Sequence, residues 1–217
     1  MKTTSYQRGE SDGFAFTAEN AARAKDIVAR YPEGRQASAV IALLDLGQRQ
    51  NGGWVSPQVI DHVAEVLDMA PIRVHEVATF YTMFNLQPVG KHLIQVCRTT
   101  PCWLRGSDAL TQTCLEKIGV GMRENSDDGL FTVIEVECLG ACCNAPMVQI
   151  NDHYYEDLTP ERMAEIIDAL KAGEEPPMGP QSGRLGSAPE GGPQTLLEVP
   201  PPARSEGAAE AKPEGSD

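Results

Sequence analysis

A chain of 217 residues with 31 acidic and 18 basic side chains, net charge −13, has room for one ordinary domain, or for two small ones and a tail. The acidic balance excludes a nucleic-acid binder built on clustered Lys and Arg, and equally a surface that adheres to anionic lipid. No apolar run reaches membrane-spanning length and no secretory or transit signal opens the chain, so a reducing cytoplasm is expected and the six cysteines are expected as thiols or metal ligands rather than disulfides.

Residues 1–16 are polar and glycine-bearing without periodicity, and read as a loose arm. Residues 17–86 read as a helical bundle. Ala21, Ala24, Ile27, Val28 and Tyr31 mark a first helix stopped by Pro32 and Gly34. Ala37 to Gln50 is apolar almost all round, the pattern of a buried helix, and Asn51-Gly52-Gly53 ends it in a turn. Ser56-Pro57 supplies a cap and a first-turn proline for a third helix lined by Ile60, Val63, Leu67 and Ala70. Pro71 opens a fourth, whose Val77, Phe80, Tyr81 and Phe84 read as a core stripe rather than a cofactor wall.

After Gln87-Pro88-Val89-Gly90 the text turns mixed, and residues 90–172 read as a small α/β sandwich of order β-α-β-β-α. A strand ends at Cys97, and a helix follows from about Cys102 with Leu110, Cys114 and Ile118 on one face. A second strand, at 130–137, leads to Cys138. Met147-Val148-Gln149-Ile150 and Tyr154-Tyr155 flank the hairpin turn Asn151-Asp152-His153, and Thr159-Pro160 caps a last helix with Met163, Ile166, Ile167 and Leu170. Nine of the 16 prolines lie in residues 173–217, so this acidic, Pro/Gly-rich tail is expected to be disordered, with Leu196-Leu197-Glu198-Val199 its sole anchor for a partner.

The chemistry concentrates in Cys97-x4-Cys102 and Cys138-x3-Cys142, each placed where a strand stops. Four clustered thiolates repel one another unless a cation neutralises them. Zinc or a [2Fe–2S] cluster satisfies that demand, and the spacing suits both. Gly140, Ala141 and Thr99 favour iron, being small enough for backbone N–H groups to approach bridging sulfides. Thioredoxin-type dithiol chemistry lacks its C-x-x-C. Cys114 reads as a small buried hydrophobe. His62, His75, His92 and His153 read as surface or hydrogen-bonded histidines, with no Cys–His pairing of the Rieske kind.

The two cysteine pairs, together with Ala78-Thr79-Phe80-Tyr81-Thr82-Met83-Phe84, Glu135-Val136-Glu137-Cys138, Asn144-Ala145-Pro146-Met147-Val148-Gln149-Ile150-Asn151 and Tyr154-Tyr155-Glu156-Asp157-Leu158-Thr159, resemble the 24-kDa subunit family of respiratory complex I. Its bacterial members are the E subunit of NADH–quinone oxidoreductase. The likeness covers roughly residues 14–185. It implies an α+β protein in which an N-terminal helical bundle precedes a thioredoxin-like ferredoxin domain. It also implies one [2Fe–2S] cluster on Cys97, Cys102, Cys138 and Cys142, and no catalytic residue of the chain's own. FMN and NADH are implied on a partner flavoprotein subunit, in keeping with the missing Gly-rich dinucleotide fingerprint here.

Cys143 departs from the family's pattern, which commonly follows the fourth ligand with an apolar residue. Adjacent side chains point in different directions, so ligation is assigned to Cys142 alone. The resemblance implies a one-electron carrier in proton-translocating quinone reduction, held on the cytoplasmic face of the inner membrane through the complex and without direct membrane insertion. Glu135, Glu137 and the net acidity oppose reduction, and Arg98 favours it; a low potential, and an electron reservoir off the main path, are expected. The alternatives are the same module in an NAD-linked hydrogenase or formate dehydrogenase, or a zinc-stabilised scaffold.

Overall fold

The computed structural model describes residues 13–189, 191, 192 and 195. Among these, four helices come first: α1 (Ala18–Val28), α2 (Val40–Gln50), α3 (Pro57–Leu67) and α4 (Pro71–Phe80). The Thr17 and Ser56 hydroxyls accept from the N–H groups of Asn20 and Val59, satisfying donors that the first turns of α1 and α3 leave open. Leu43, Leu44, Val59, Val63 and Val74, all fully buried, form the centre of this first core.

Three details differ from the sequence reading. The second helix starts with a tight turn, Gln36–Ala39, and only then becomes α-helical. The loose arm is anchored at its inner end. Phe14 and Phe16 pack edge-on against His62, with ring centroids 5.6 and 4.9 Å from it, and the Phe16 N–H donates to His62 Nε2 at 3.2 Å. The expected aromatic stripe is not a core stripe: the helix ends at Phe80 and Tyr81 adopts an extended conformation. The chain turns, so Phe84 folds inward at 5% exposure while Phe80 and Tyr81 stay 77% and 40% exposed.

The second part is a five-stranded sheet: β1 (His92–Cys97), β2 (Phe131–Val136), β3 (Val148–Ile150), β4 (His153–Glu156) and β5 (Gly179–Pro180), in the order β2-β1-β3-β4-β5. β1 and β2 are parallel, joined through the short helix α5 (Thr100–Leu104) and α6 (Ser107–Ile118). Gly106, at φ 94°, breaks what periodicity suggested was one helix into those two. β3 runs antiparallel to β1 and to β4. α6 and α7 (Pro160–Lys171) lie side by side on one face of the sheet. They bury Ile94, Val96, Val133, Val148 and Ile150 with Leu110, Cys114, Met163 and Ile166. Cys114 is thus the buried hydrophobe expected, its thiol pushed up to about 12 by burial.

The proline-rich stretch after α7 is not uniform. Its first residues lie against the sheet edge, where β5 pairs in parallel with β4. Composition cannot reveal this, because the order comes from pairing with Tyr155 and Glu156 rather than from local propensity. The Leu196–Val199 anchor lies outside the described residues. The helical part meets the sheet at the end away from the cysteines. There Arg49 of α2 pairs with both carboxylate oxygens of Asp152 in the β3–β4 turn, at 2.8 and 3.0 Å. Among the described residues no helix is long and apolar enough to cross a membrane.

Candidate metal centre

Parallel pairing brings the two cysteine loops to the same edge. Cys97, the last residue of β1, is in register with Val136, the last of β2, so both loops leave the sheet side by side. The antiparallel β3 contributes from the other flank, the Cys97 N–H donating to the Met147 carbonyl at 3.3 Å. Cys102 follows on α5, whose C-terminal Arg105 reaches back to the Ala145 carbonyl at 3.4 Å. The Tyr154 hydroxyl donates to the Leu139 carbonyl at 2.7 Å and ties down the second loop.

All four sequence-predicted cysteines meet here. Cys97 and Cys102 are buried, 2% and 1% exposed, in a small apolar cluster with Ala145 and Met147, and their thiols are hydrogen-bonded to each other. Cys138 and Cys142 are exposed, with sulfurs 3.4 Å apart. Thr99 joins the pairs: its hydroxyl lies 3.5 Å from Cys97 Sγ and also reaches the Cys138 thiol.

Backbone N–H groups aim at the sulfurs. Burial alone would push the Cys97 thiol up, but hydrogen bonds from the Thr99 hydroxyl, the Leu139 and Thr99 N–H groups and the Cys102 thiol bring it below its ordinary value. The Gly140 N–H donates to Cys138 Sγ at 3.4 Å and, with the Cys142 and Thr99 contacts, lowers that thiol too. Gly140 holds φ 88°, a left-handed conformation that suits glycine. Cys102 is pushed up to about 12, by burial first and by the proton it shares with Cys97 second. Cys142 is raised by its hydrogen bond to Cys138. In each pair one thiol is lowered and its partner raised, because the hydrogen bond between the two sulfurs favours a single shared proton.

This donor set fits a two-iron centre. One pair is buried and hydrogen-bonded thiol to thiol, the other exposed with its sulfurs 3.4 Å apart, a division that suits two irons each taking two thiolates. The aimed amides match the hydrogen bonding that stabilises anionic sulfur around a cluster.

Cys143 points elsewhere, its Sγ lying 3.1 Å from Asn144 Oδ1. Cys143→Ser is accordingly expected to leave iron content and the EPR spectrum of the purified chain unchanged; loss of the signal would move the ligand assignment. Two of the three charges weighed in the sequence neutralise one another in part, since Arg98 Nη1 and Glu135 Oε2 pair at 3.1 Å. Sequence reading singled out Thr99 for its size and not for the hydroxyl that orients the thiols, and it missed Tyr154 and Arg105. A small hydroxyl two residues after a ligand was a usable signal for Thr99; the other two act across the fold and left none.

Two strand-end loops delivering paired thiols to one rim of a thioredoxin-like sheet define a ferredoxin-type centre rather than a dithiol oxidoreductase. Comparison with known proteins agrees. The model of the thioredoxin-like [2Fe-2S] ferredoxin family matches residues 24–171. The E subunit of the NADH-quinone oxidoreductase of Rickettsia bellii is 59% identical over 158 residues, covering 73% of this chain and 95% of its own. The mitochondrial NADH dehydrogenase [ubiquinone] flavoprotein 2 of Dictyostelium discoideum is 47% identical over 191 residues, covering 88% and 77%. The chain belongs to the thioredoxin-like [2Fe-2S] ferredoxin family, in the branch formed by the E subunits of NADH-quinone oxidoreductases. An NAD+-reducing [NiFe]-hydrogenase shares the fold at TM-score 0.54 and 19% identity, the likeness spanning 61% of this chain and 22% of the hydrogenase chain.

Proposed function

We propose that this chain is an electron-transfer subunit of an NADH:quinone oxidoreductase, holding one [2Fe–2S] cluster on Cys97, Cys102, Cys138 and Cys142. It works beside a flavoprotein subunit that binds FMN and NADH, and associates peripherally with the membrane through the complex. The observation that carries the reading is the convergence of two thiol pairs, one buried and one exposed, at a single sheet edge. When bound, the cluster supplies a carrier of single electrons.

The chain's own residues hold and shield it. Cys97 and Cys102 would take one iron inside the apolar cluster of Ala145 and Met147, which keeps water from that side. Cys138 and Cys142 would take the other at the surface, where a partner's redox group can approach. Trp103 and Leu104, 57% and 70% exposed on α5 just after Cys102, give that rim an apolar border of the kind that partner surfaces cover. The Gly140, Leu139 and Thr99 N–H groups donate to sulfur and offset its negative charge.

The near full-length match to NADH-quinone oxidoreductase relatives supports this complex over a hydrogenase, for which the likeness extends to fold alone. Anaerobically purified chain is expected to be brown, to contain iron and acid-labile sulfide in equal amounts, and to give an EPR signal on reduction. With its flavoprotein partner added, NADH should elicit that signal. Colourless protein loaded with zinc would defeat the electron-carrier reading, and co-purification with hydrogenase subunits would move it to another complex.

A further inference from the structure

The turn that carries the fourth thiol, Cys142–Asn144, is closed from outside by the strap that follows β5. Arg184 Nη2 donates to the Cys143 carbonyl at 2.8 Å, and Nη1 donates to the Ala188 carbonyl at 3.1 Å. The same guanidinium grips Asp157, Nε reaching Oδ2 at 2.7 Å and Nη2 reaching Oδ1. Asp157 is itself fixed. Its carboxylate accepts from the Ser182 hydroxyl at 2.8 Å, and its N–H donates to the Asn144 carbonyl at 2.8 Å. Asn144, 1% exposed, completes the closure by donating from Nδ2 to the Gly186 carbonyl at 2.9 Å and to Glu156 Oε2 at 3.2 Å.

The Arg184 and Asp157 side chains are only 12% and 9% exposed. A buried ion pair contributes little net stability, because desolvation offsets most of the attraction, but its fork geometry specifies conformation. What it specifies here is the orientation of two adjacent cysteines. With the Cys143 carbonyl and the Asn144 amide both held by the strap, Cys142 Sγ faces Cys138 and Cys143 Sγ is turned onto Asn144.

We propose that Arg184 is a positioning residue for the iron–sulfur site: by clamping the Cys143 carbonyl it selects Cys142, and not its neighbour Cys143, as the fourth thiolate. The inference rests on the reading of Cys142 as a ligand. Released from the clamp, the Cys143–Asn144 peptide is free to turn, the turn relaxes and both sulfurs become competent.

The test uses the full chain with its cluster. R184M is expected to give two overlapping EPR species where the wild type gives one, and to lose iron to a chelator about 10-fold faster, the low end for removal of a group that orients a metal ligand. Adding Cys143→Ser to R184M should restore a single species, which a general loosening of the fold would not do. R184K keeps the charge without the fork and should also give two species, so it decides the matter if R184M does not fold. A single unchanged spectrum with wild-type iron release in R184K would overturn the clamp. If at the same time Cys142→Ala lost the cluster, the ligand assignment would stand and the clamp alone would fall. An unchanged cluster in Cys142→Ala would overturn both.

Discussion

Cys102→Ala is expected to leave the purified chain with essentially no iron, whereas Cys138→Ser should retain a weakened cluster with an altered spectrum. The asymmetry follows from where each sulfur sits. Cys102 lies at 1% exposure among Cys97, Ala145 and Met147, so no water can reach the vacated coordination position. The remaining buried sulfur, Cys97, would then be the one protein ligand on that side, and an iron left with a single thiolate and no water is under-coordinated. Cys138 faces solvent, and a serine oxygen or a water molecule can take its place on a surface iron. Iron analysis and EPR of the two variants, purified in parallel with Cys114→Ala as a folded control, measure the difference. Equal loss in both would show that burial does not govern cluster retention, and full retention in Cys102→Ala would remove it from the ligand set.

The parts of this site visible in the sequence were those written locally. Apolar runs at Leu93–Val96 and 131–136 placed the strands, and cysteines at or just past their ends placed the thiols, because an apolar run and its end are encoded within a few residues. Contacts made across the fold were not visible. Phe80 and Tyr81 fit a helical stripe only while the helix is assumed to continue, and it stops at Phe80. The strap after α7 has the composition of a disordered tail, yet Arg184 finds Asp157 and β5 finds β4, partners no local rule couples. Thr99 and Tyr154 orient the loops through side-chain hydrogen bonds whose acceptors lie far along the chain or on the neighbouring loop. Periodicity reports which face of an element is apolar; it does not report what arrives to cover it.

Gly90→Ala is expected to be among the most destabilising single-methyl additions in the chain, and to do so without touching the cysteines. A Cβ at residue 90 would fall 2.6 Å from the Phe131 carbonyl carbon, 2.7 Å from its nitrogen and 2.8 Å from its Cα, all backbone atoms that no rotamer change can move. The same stretch sets up the sheet. The Gly90 N–H donates to Thr132 Oγ1 at 2.7 Å, and the Lys91 and His92 N–H groups donate to the Gly129 and Leu130 carbonyls. Accommodating the methyl requires β1 to retreat from the start of β2, at an overpacking cost of about 3 kcal/mol and a fall in Tm of roughly 6–12 °C for a chain of this size. Gly119→Ala is the contrast: at φ 80° with nothing within 4 Å, it suffers backbone strain alone, about 1–2 kcal/mol. The cysteine end of the sheet is the sixth registered pair, Cys97↔Val136, counted from His92↔Phe131, so the EPR spectrum of whatever Gly90→Ala protein folds should match the wild type. Thermal melts and EPR of the two glycine variants test both halves of this expectation. A Tm for Gly90→Ala no lower than that of Gly119→Ala would show that the β1–β2 start yields without cost, and a changed spectrum would show that strain travels along the paired strands to the thiols.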